Sequence, residues 1–223
     1  GPVQKTVYFI KDNLLCGIDD PNEARAIMGR MDGGAKDSLS TVSAYQTTIQ
    51  RSLKQAGGTA PDVRWFANPF GVVWAWRTLE REAPERDQDI FRILHDNGFD
   101  AIVGVGGVVN ALVPPNFEWV HRTSVYAPPT SRKSDDPLRW KLSMRMMQMP
   151  NTEELVPETW APQIAASYTT MNLDVLAAYD NVQPVFDAFV GYDDAFETTI
   201  EGFREDAYGP QVDLREEFVS ALG

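Results

Sequence analysis

The sequence predicts an α+β fold in which mostly antiparallel strands carry helices packed on one face. Strand-like and helix-like segments follow one another irregularly, without the strand–helix–strand repeat that builds a parallel sheet. Hydrophobic residues make up 43% of the 223 residues and charged residues 23%, a globular composition with enough apolar surface for a core. No apolar run reaches about 18 residues, so we expect no transmembrane span.

The N-terminal segment predicts a hairpin followed by two helices. Two β-prone stretches, 6–10 and 14–18, are joined by a short polar turn. Asp20 and Pro21 then match the N-cap and first position of a helix. A second capping pattern at Ser43 predicts another helix, which a pair of glycines ends.

A strand and an apolar helix come next. Residues 62–67 are β-prone, and Asn68 with Pro69 then supplies an N-cap and a first helical residue. Residues 70–79 are nearly all apolar. Because a helix that is apolar on all sides is typically surrounded by protein, we expect this helix to be buried on most sides.

The middle of the chain predicts one more helix and further strands. A helix is expected to begin at Asp87 or Asp89 and to end at a glycine. Residues 99–112 predict two strands or one bulged strand, and residues 117–126 predict another. The elements expected after residue 130 are a short helix (138–147), a strand (164–171), a helix kinked at Pro184 (174–190) and two more helices (193–206 and 213–222).

The element order suggests a division of the chain into three parts. Residues 1–130 form a first α+β unit, residues 131–162 a linker with a short helix, and residues 163–223 an acidic, mostly helical second unit. Strand, helix and helix follow one another after both 63 and 164. A duplicated strand–helix–helix–strand module with an incomplete second copy is therefore one interpretation. The start at Gly1-Pro2 without methionine and the end at Gly223 lead us to expect a truncated piece of a longer protein.

The charge is unevenly distributed. The net charge is −12, of which residues 1–150 carry +1 and residues 151–223 carry −13. An acidic surface repels phosphate, so the C-terminal third is not expected to bind nucleic acid. It is compatible with a basic protein partner or with a divalent cation.

One acidic pattern stands out within that third. Asp193, Glu197, Glu201 and Glu205 recur every four residues and therefore share one helix face. The simplest interpretation is a solvated face. The functional alternative is a docking face for a basic partner, with the basic stretch 132–145 as a candidate within the chain, or a weak Ca²⁺ or Mg²⁺ site. No EF-hand loop is present.

Other chemistries find little support in the sequence. The glycine-rich run 104–110 is followed by prolines rather than by a helix, so it does not match a phosphate-binding loop. His95 and His121 are the two histidines, and Cys16 is the one cysteine, predicted to pack as a small apolar side chain. The four methionines between 144 and 149 and most of the six tryptophans are predicted to lie in the core, with Cu(I) binding by the methionines as the alternative.

Several phrases resemble a family of long, uncharacterised proteins of planctomycete bacteria that are predicted to be secreted or membrane-associated. They are VYFIKDNLL (7–15), VRWFANP (63–69), GFDAIVGVGG (98–107), ETWAP (158–162) and SYTTMN (167–172). The resemblance spans most of the chain in the same order. It implies an extracytoplasmic location, periplasmic, envelope or secreted, and a larger parent protein. It implies no activity and no catalytic residue.

These observations favour a non-catalytic structural or interaction module of a larger extracytoplasmic protein. Its expected partners are other segments of the parent protein or a basic protein. A module that binds a lipid, a sugar or a peptide is the first alternative. A carboxylate-based hydrolase is the second, with Glu118 and His121 as weak candidates because their spacing places them on opposite faces of a strand. No catalytic residue, cofactor or dedicated metal ligand is predicted.

Overall fold

The computed structural model describes residues 6–34, 37–80, 89–113, 117–130, 139–149, 159–165, 167–209 and 211–222. These residues form two antiparallel sheets with helices packed against them, which confirms the predicted α+β fold. Contacts divide the chain into two compact units, residues 1–46 and 47–223. The three-part division expected from the sequence stays a prediction.

The first unit begins with the predicted hairpin. Strand β1 (Val7–Lys11) pairs antiparallel with β2 (Leu14–Ile18). The turn residues Asp12 and Asn13 have φ values of 51° and 64°, and two successive left-handed residues are what a tight two-residue hairpin turn requires. Aspartate and asparagine tolerate this conformation better than other non-glycine residues.

Helix α1 (Pro21–Gly29) follows the hairpin and begins at the predicted cap. The Asp20 carboxylate accepts a hydrogen bond of 2.7 Å from the backbone N–H of Asn22. The helix passes into a wider π-helical turn (Arg30–Gly34), in which Gly33 has a φ of 94° and so ends the regular helix. Near this turn, Asp32 pairs with the ammonium group of Lys11.

The second unit contains a three-stranded sheet. Its strands are β3 (Val63–Ala67), β4 (Gly104–Val113) and β5 (Phe117–Tyr126), in the order β3-β4-β5 and antiparallel throughout. The glycine-rich run is therefore a single central strand. The sequence predicted two strands or one bulged strand, but the pairing with β3 and with β5 keeps one continuous register, without the bulge. Its glycines allow close approach, because a Cβ at Gly107 would lie 2.1 Å from the carbonyl oxygen of Arg122.

Residues 47–55 of helix α2 (Ser43–Gln55) pack on one face of this sheet. The hydroxyls of Ser52 and Ser124 are hydrogen bonded at 3.0 Å in the buried interface. A Cβ at Gly106 would lie 2.9 Å from Oγ1 of Thr48, so glycine lets the helix approach the strand closely. Val108 is fully buried on the same side. This face forms the core of the sheet region.

Two helices follow β3, and both begin at caps expected from the sequence. Helix α3 (Pro69–Glu80) is capped by Asn68, whose side-chain oxygen accepts from the N–H of Gly71 at 2.9 Å. Helix α4 (Ile90–Asp96) is capped by Asp89 and ends at Asn97 and Gly98, the latter with a φ of 89°.

The C-terminal part of the second unit is helical. Its elements are a 3-10 helix (Leu142–Met147), α5 (Val175–Val190), α6 (Ala195–Glu205), a π-helical turn (Leu214–Val219) and α7 (Ser220–Leu222). Helix α5 packs against the 3-10 helix, α4 and α6. The interface with the 3-10 helix is closed by Ser143, whose buried Oγ accepts from the N–H of Val185, one residue after Pro184.

One predicted strand is wrong. Residues 164–171, apart from residue 166, which lies outside the described part, form turn and irregular structure. In the described part of the chain no strand pairs with this stretch, and a single strand is not stable without a partner. The second copy of the proposed duplicated module therefore lacks its first strand. The short helix expected at 138–147 is a 3-10 helix that begins only at Leu142, and residue 138 is not described.

Candidate functional site

One face of α3 is packed against α4. The Phe70 ring meets the His95 ring edge-on with centroids 5.9 Å apart. Arg77 contacts both carboxylate oxygens of Asp89, and the Nη1–Oδ2 distance is 2.6 Å. The same carboxylate accepts from the backbone N–H of Arg92 at 3.0 Å, so one acid caps α4 and binds α3.

This ion pair is shielded from solvent. The side chains of Arg77 and Asp89 are 17% and 10% exposed, and the guanidinium carbon of Arg77 lies 5.5 Å from the Trp74 ring centre and 5.8 Å from that of Phe91. The hydrogen bond from Arg77 lowers the pKa of Asp89, although burial acts in the opposite direction. A charged, bidentate pair therefore holds the two helices together.

The opposite face of α3 is uncovered. Val72, Trp76 and Leu79, here called the α3 stripe, are 54%, 61% and 80% exposed. Their spacing of four and three residues places them along one line of the helix. The prediction that this helix is buried on most sides is wrong. Its apolar side chains divide between an α4-facing set and the α3 stripe, which no described part of the chain covers.

The second exposed surface is a face of the three-stranded sheet. It contains Trp65, Trp119, His121, Thr123 and Val125, which alternate with residues that face α2, and it is here called the open sheet face. Trp119 is 67% exposed and Val125 52% exposed. The two-residue period of a strand places Trp119, His121, Thr123 and Val125 on one side of β5, but the sequence does not indicate that this side is open.

His121 contacts Trp65 on the open sheet face. Its Nε2 lies 3.0 Å from Nε1 of Trp65, and the ring centroids are 5.8 Å apart. Since an indole N–H can only donate, Nε2 of His121 is the acceptor of the hydrogen bond from Trp65. The side chain of Glu118, the other weak hydrolase candidate, lies outside the described residues.

The predicted acidic face is partly assembled. Glu197, Glu201 and Glu205 lie exposed on α6, whereas Asp193 lies in the turn before the helix. Arg204 is within 4.0 Å of Glu201 and 3.7 Å of Glu205, so part of the negative charge is neutralised locally. Nowhere in the described ranges do three or more acidic, histidine or cysteine side chains form a group that could hold a metal ion.

An open cleft of about 890 Å³ lies between α4 and the turn that joins α5 to α6. Asp96, Asp187 and Asp193 are among its lining residues. Asp187 is committed to structure, because its two oxygens accept from the N–H groups of Asp194 (3.1 Å) and Phe196 (2.7 Å) and so cap α6. This cap was not foreseen from the sequence, since Asp187 precedes the helix by eight residues.

The basic stretch proposed as an internal partner is only partly described. Arg132 and Lys133 lie outside the described residues. Arg139 lies over the Trp140 ring at 5.2 Å, and Nε of Arg145 donates to the Trp140 carbonyl at 3.1 Å. Docking of this stretch on the acidic face stays a prediction.

The predicted core roles of the sulfur and indole side chains hold only in part. Met144 is buried, but Met147 and Met149 are more than one-third exposed, and Cys16 is a free, half-buried thiol. The tryptophans more than half exposed are Trp74, Trp76, Trp119 and Trp160. The expectation that most tryptophans lie in the core is therefore wrong for these four.

Comparison with protein-family models, curated proteins and solved structures gives no match for this chain. The resemblance to planctomycete proteins and the extracytoplasmic location it implies therefore stay predictions. In the part of the chain that is described, no helix combines the length and apolar character needed to cross a bilayer.

Sequence reasoning missed the α3 stripe. An unbroken apolar segment indicates burial without saying whether another part of the chain or another protein provides it. One signal could have separated the two faces. Phe70 and Arg77 lie seven residues apart on one side, while Val72, Trp76 and Leu79 form a separate line on the other.

Proposed function

We propose that the chain is a non-catalytic interaction module and that the α3 stripe is its contact surface for another protein. The observation that carries the proposal is the exposure of Val72, Trp76 and Leu79 on a helix whose other face is packed. Large apolar side chains in a contiguous patch are unusual on a monomer surface and typical of protein-contact sites. Tryptophan is also the residue most enriched among side chains that dominate binding energy.

The arrangement suits recognition of a helix by a groove. A helix that enters an apolar groove uses anchors at positions i, i+4 and i+7, which is the spacing of Val72, Trp76 and Leu79. The Arg77–Asp89 pair fixes the helix before binding, so little conformational entropy needs to be lost on association. A groove on another segment of a larger parent protein, or on a separate protein, would fit.

The charge near the α3 stripe favours a protein over a membrane. Arg77, the basic residue of α3, is already paired with Asp89. Helices that bind at membrane surfaces usually carry lysine and arginine on their polar face. The net charge of −12 would also oppose contact with anionic lipids.

The alternatives receive less support. The sugar- or lipid-binding alternative rests on Trp119, which is exposed on the open sheet face. The hydrolase alternative needs a paired acid and base, and His121 is bonded to Trp65 instead. We propose an extracytoplasmic setting only because of the resemblance described above.

A pair of variants tests the proposed contact surface. Trp76→Gln with Leu79→Gln should leave the unfolding free energy within about 0.5 kcal/mol of the parent value, because both side chains are exposed. The same change should remove the protein from the assembly it forms in its cells of origin, measured by the mass of the native complex. Trp160→Gln is the control, since Trp160 is 75% exposed but lies outside the α3 stripe. Unchanged assembly of the double variant would reject the proposal.

A further inference from the structure

The open sheet face contains a hydrogen bond whose direction is fixed by chemistry. Nε1 of Trp65 lies 3.0 Å from Nε2 of His121, and the Thr123 hydroxyl oxygen lies 3.3 Å from the same nitrogen. The indole N–H is a donor only, so Nε2 of His121 must be the unprotonated nitrogen. In the hydrogen-bonded form the imidazole is therefore the tautomer that has its proton on Nδ1.

No charged group of the sheet competes for this imidazole among the described side chains. On β3 the charged side chain is Arg64, and on β5 it is Arg122, and both belong to the face that packs on α2. Asp62, next to β3, is engaged with the backbone N–H of Ala111 at 2.8 Å. Strand β4 contributes no titratable side chain beside His121. Trp65 and Thr123 are thus the polar partners of Nε2.

We propose that this pair is a pH-sensitive switch that holds Trp65 on the sheet when His121 is neutral and releases it when His121 is protonated. A proton from solvent would bind Nε2 and form an N–H there. The bond from Trp65 would then be lost, because two N–H groups cannot donate to each other. No other bond forms or breaks, and the reverse step returns the proton to solvent.

Release of the Trp65 side chain would uncover the glycine of the central strand on which its indole lies. A Cβ at Gly107 would come within 3.1 Å of Nε1 of Trp65, so the indole rests closely on the glycine of the central strand. The His121 bond is the hydrogen bond that anchors the indole nitrogen. Without it the ring can turn away from Gly107 and enlarge the apolar area of the open sheet face. This inference is independent of the α3 stripe.

The tautomer can be measured directly on the unmodified protein. At a pH near 8, ¹⁵N shifts of the two histidines should show one imidazole with Nδ1 protonated and Nε2 unprotonated, and His95→Gln should leave that signal in place. If the His121 signal instead shows Nε2 protonated, the proposed bond and the switch are both rejected. This test needs no variant at position 121.

The switch itself is tested by the indole N–H signals of the six tryptophans, followed from about pH 8 to pH 5. Trp65→Phe assigns the Trp65 signal, and the other five signals report whether the protein stays folded. The Trp65 signal should shift in a single titration in the parent and in His95→Gln, and should stay constant in His121→Gln, whose amide oxygen accepts at every pH. A Trp65 signal that does not shift, or that shifts equally in His121→Gln, would overturn the proposal.

Discussion

The guanidinium group of Arg77 on α3 contacts both carboxylate oxygens of Asp89, the N-cap of α4. The pair links two helices that are separated in sequence by a stretch outside the described residues. It also determines which side of α3 faces inward, because Arg77 and Phe70 lie on the side opposite Trp76. The exposure of the α3 stripe is thus a consequence of where this ion pair forms.

Replacing the acid of this pair should destabilise the protein. Asp89→Ala removes an N-cap and leaves the guanidinium of Arg77 largely buried without its counter-charge. We expect a loss of at least about 2 kcal/mol in unfolding free energy, measured by urea denaturation. Asp96→Ala is the control on the same helix. Its pairs with Arg92 and His95 are exposed and should contribute less than about 0.5 kcal/mol. Equal effects of the two changes would contradict the account.

The Arg77–Asp89 pair should make the unfolding free energy depend on pH in the acidic range. The pKa of Asp89 is lowered in the folded protein by Arg77, from an ordinary value of 3.8. A lowered pKa means that the carboxylate stabilises the fold fully above the unfolded-state value, and that this contribution is lost as the pH falls through the lower folded-state value. The difference in unfolding free energy between the parent and Asp89→Asn should therefore be constant near neutral pH and shrink below about pH 3.8. A difference that grows on acidification would have the wrong sign.

Two glycines should respond oppositely to alanine. A Cβ at Gly107 would lie 2.1 Å from the carbonyl oxygen of Arg122, so Gly107→Ala must separate β4 from β5 and should cost about 3 kcal/mol or more. At Gly202, on exposed α6, a Cβ would meet nothing within 4 Å. Gly202→Ala should stabilise by about 0.5–1 kcal/mol through its higher helix propensity. Thermal unfolding of the parent and of both variants measures these opposite changes in stability. Stabilisation by Gly107→Ala would show that the strands are not paired in this register.

Calcium should not stabilise the protein through the acidic face. Glu197, Glu201 and Glu205 lie along a helix rather than around a point, and Asp193 is outside the helix. At matched ionic strength we expect the same Tm with and without millimolar Ca²⁺, in the parent and in Glu197→Gln with Glu201→Gln. A rise of several degrees that the double variant abolishes would show a cation site and contradict this expectation.

Several elements of the fold could be predicted from short stretches of neighbouring residues. Asp20, Asn68 and Asp89 each begin a helix as predicted, because a side-chain oxygen that accepts from the next turn is a property of a few adjacent residues. The hairpin turn at Asp12 and Asn13 is local in the same sense. Such elements can be predicted without knowing what they pack against.

Features that depend on distant partners were not predictable. The stretch 164–171 has β-prone side chains but does not form a strand, since strand formation depends on a neighbour elsewhere in the chain. Asp187 caps a helix from eight residues away, and Trp65 on β3 donates a hydrogen bond to His121 on β5 across the central strand β4. For α3, the apolar composition predicted burial on most sides, and the structure leaves Val72, Trp76 and Leu79 exposed. Composition alone does not tell which faces of a helix another part of the same molecule covers.

The contact role of the α3 stripe is tested most directly by placing a photo-crosslinking amino acid at position 76 of the protein in its cells of origin. Position 78 is the control, because Thr78 is exposed on the same helix but lies off the α3 stripe. If the α3 stripe is a contact surface, position 76 should crosslink to one defined protein, or to a defined segment of the same parent, and position 78 should not. Absence of a crosslink at position 76, or equal crosslinking at position 78, would contradict the central claim.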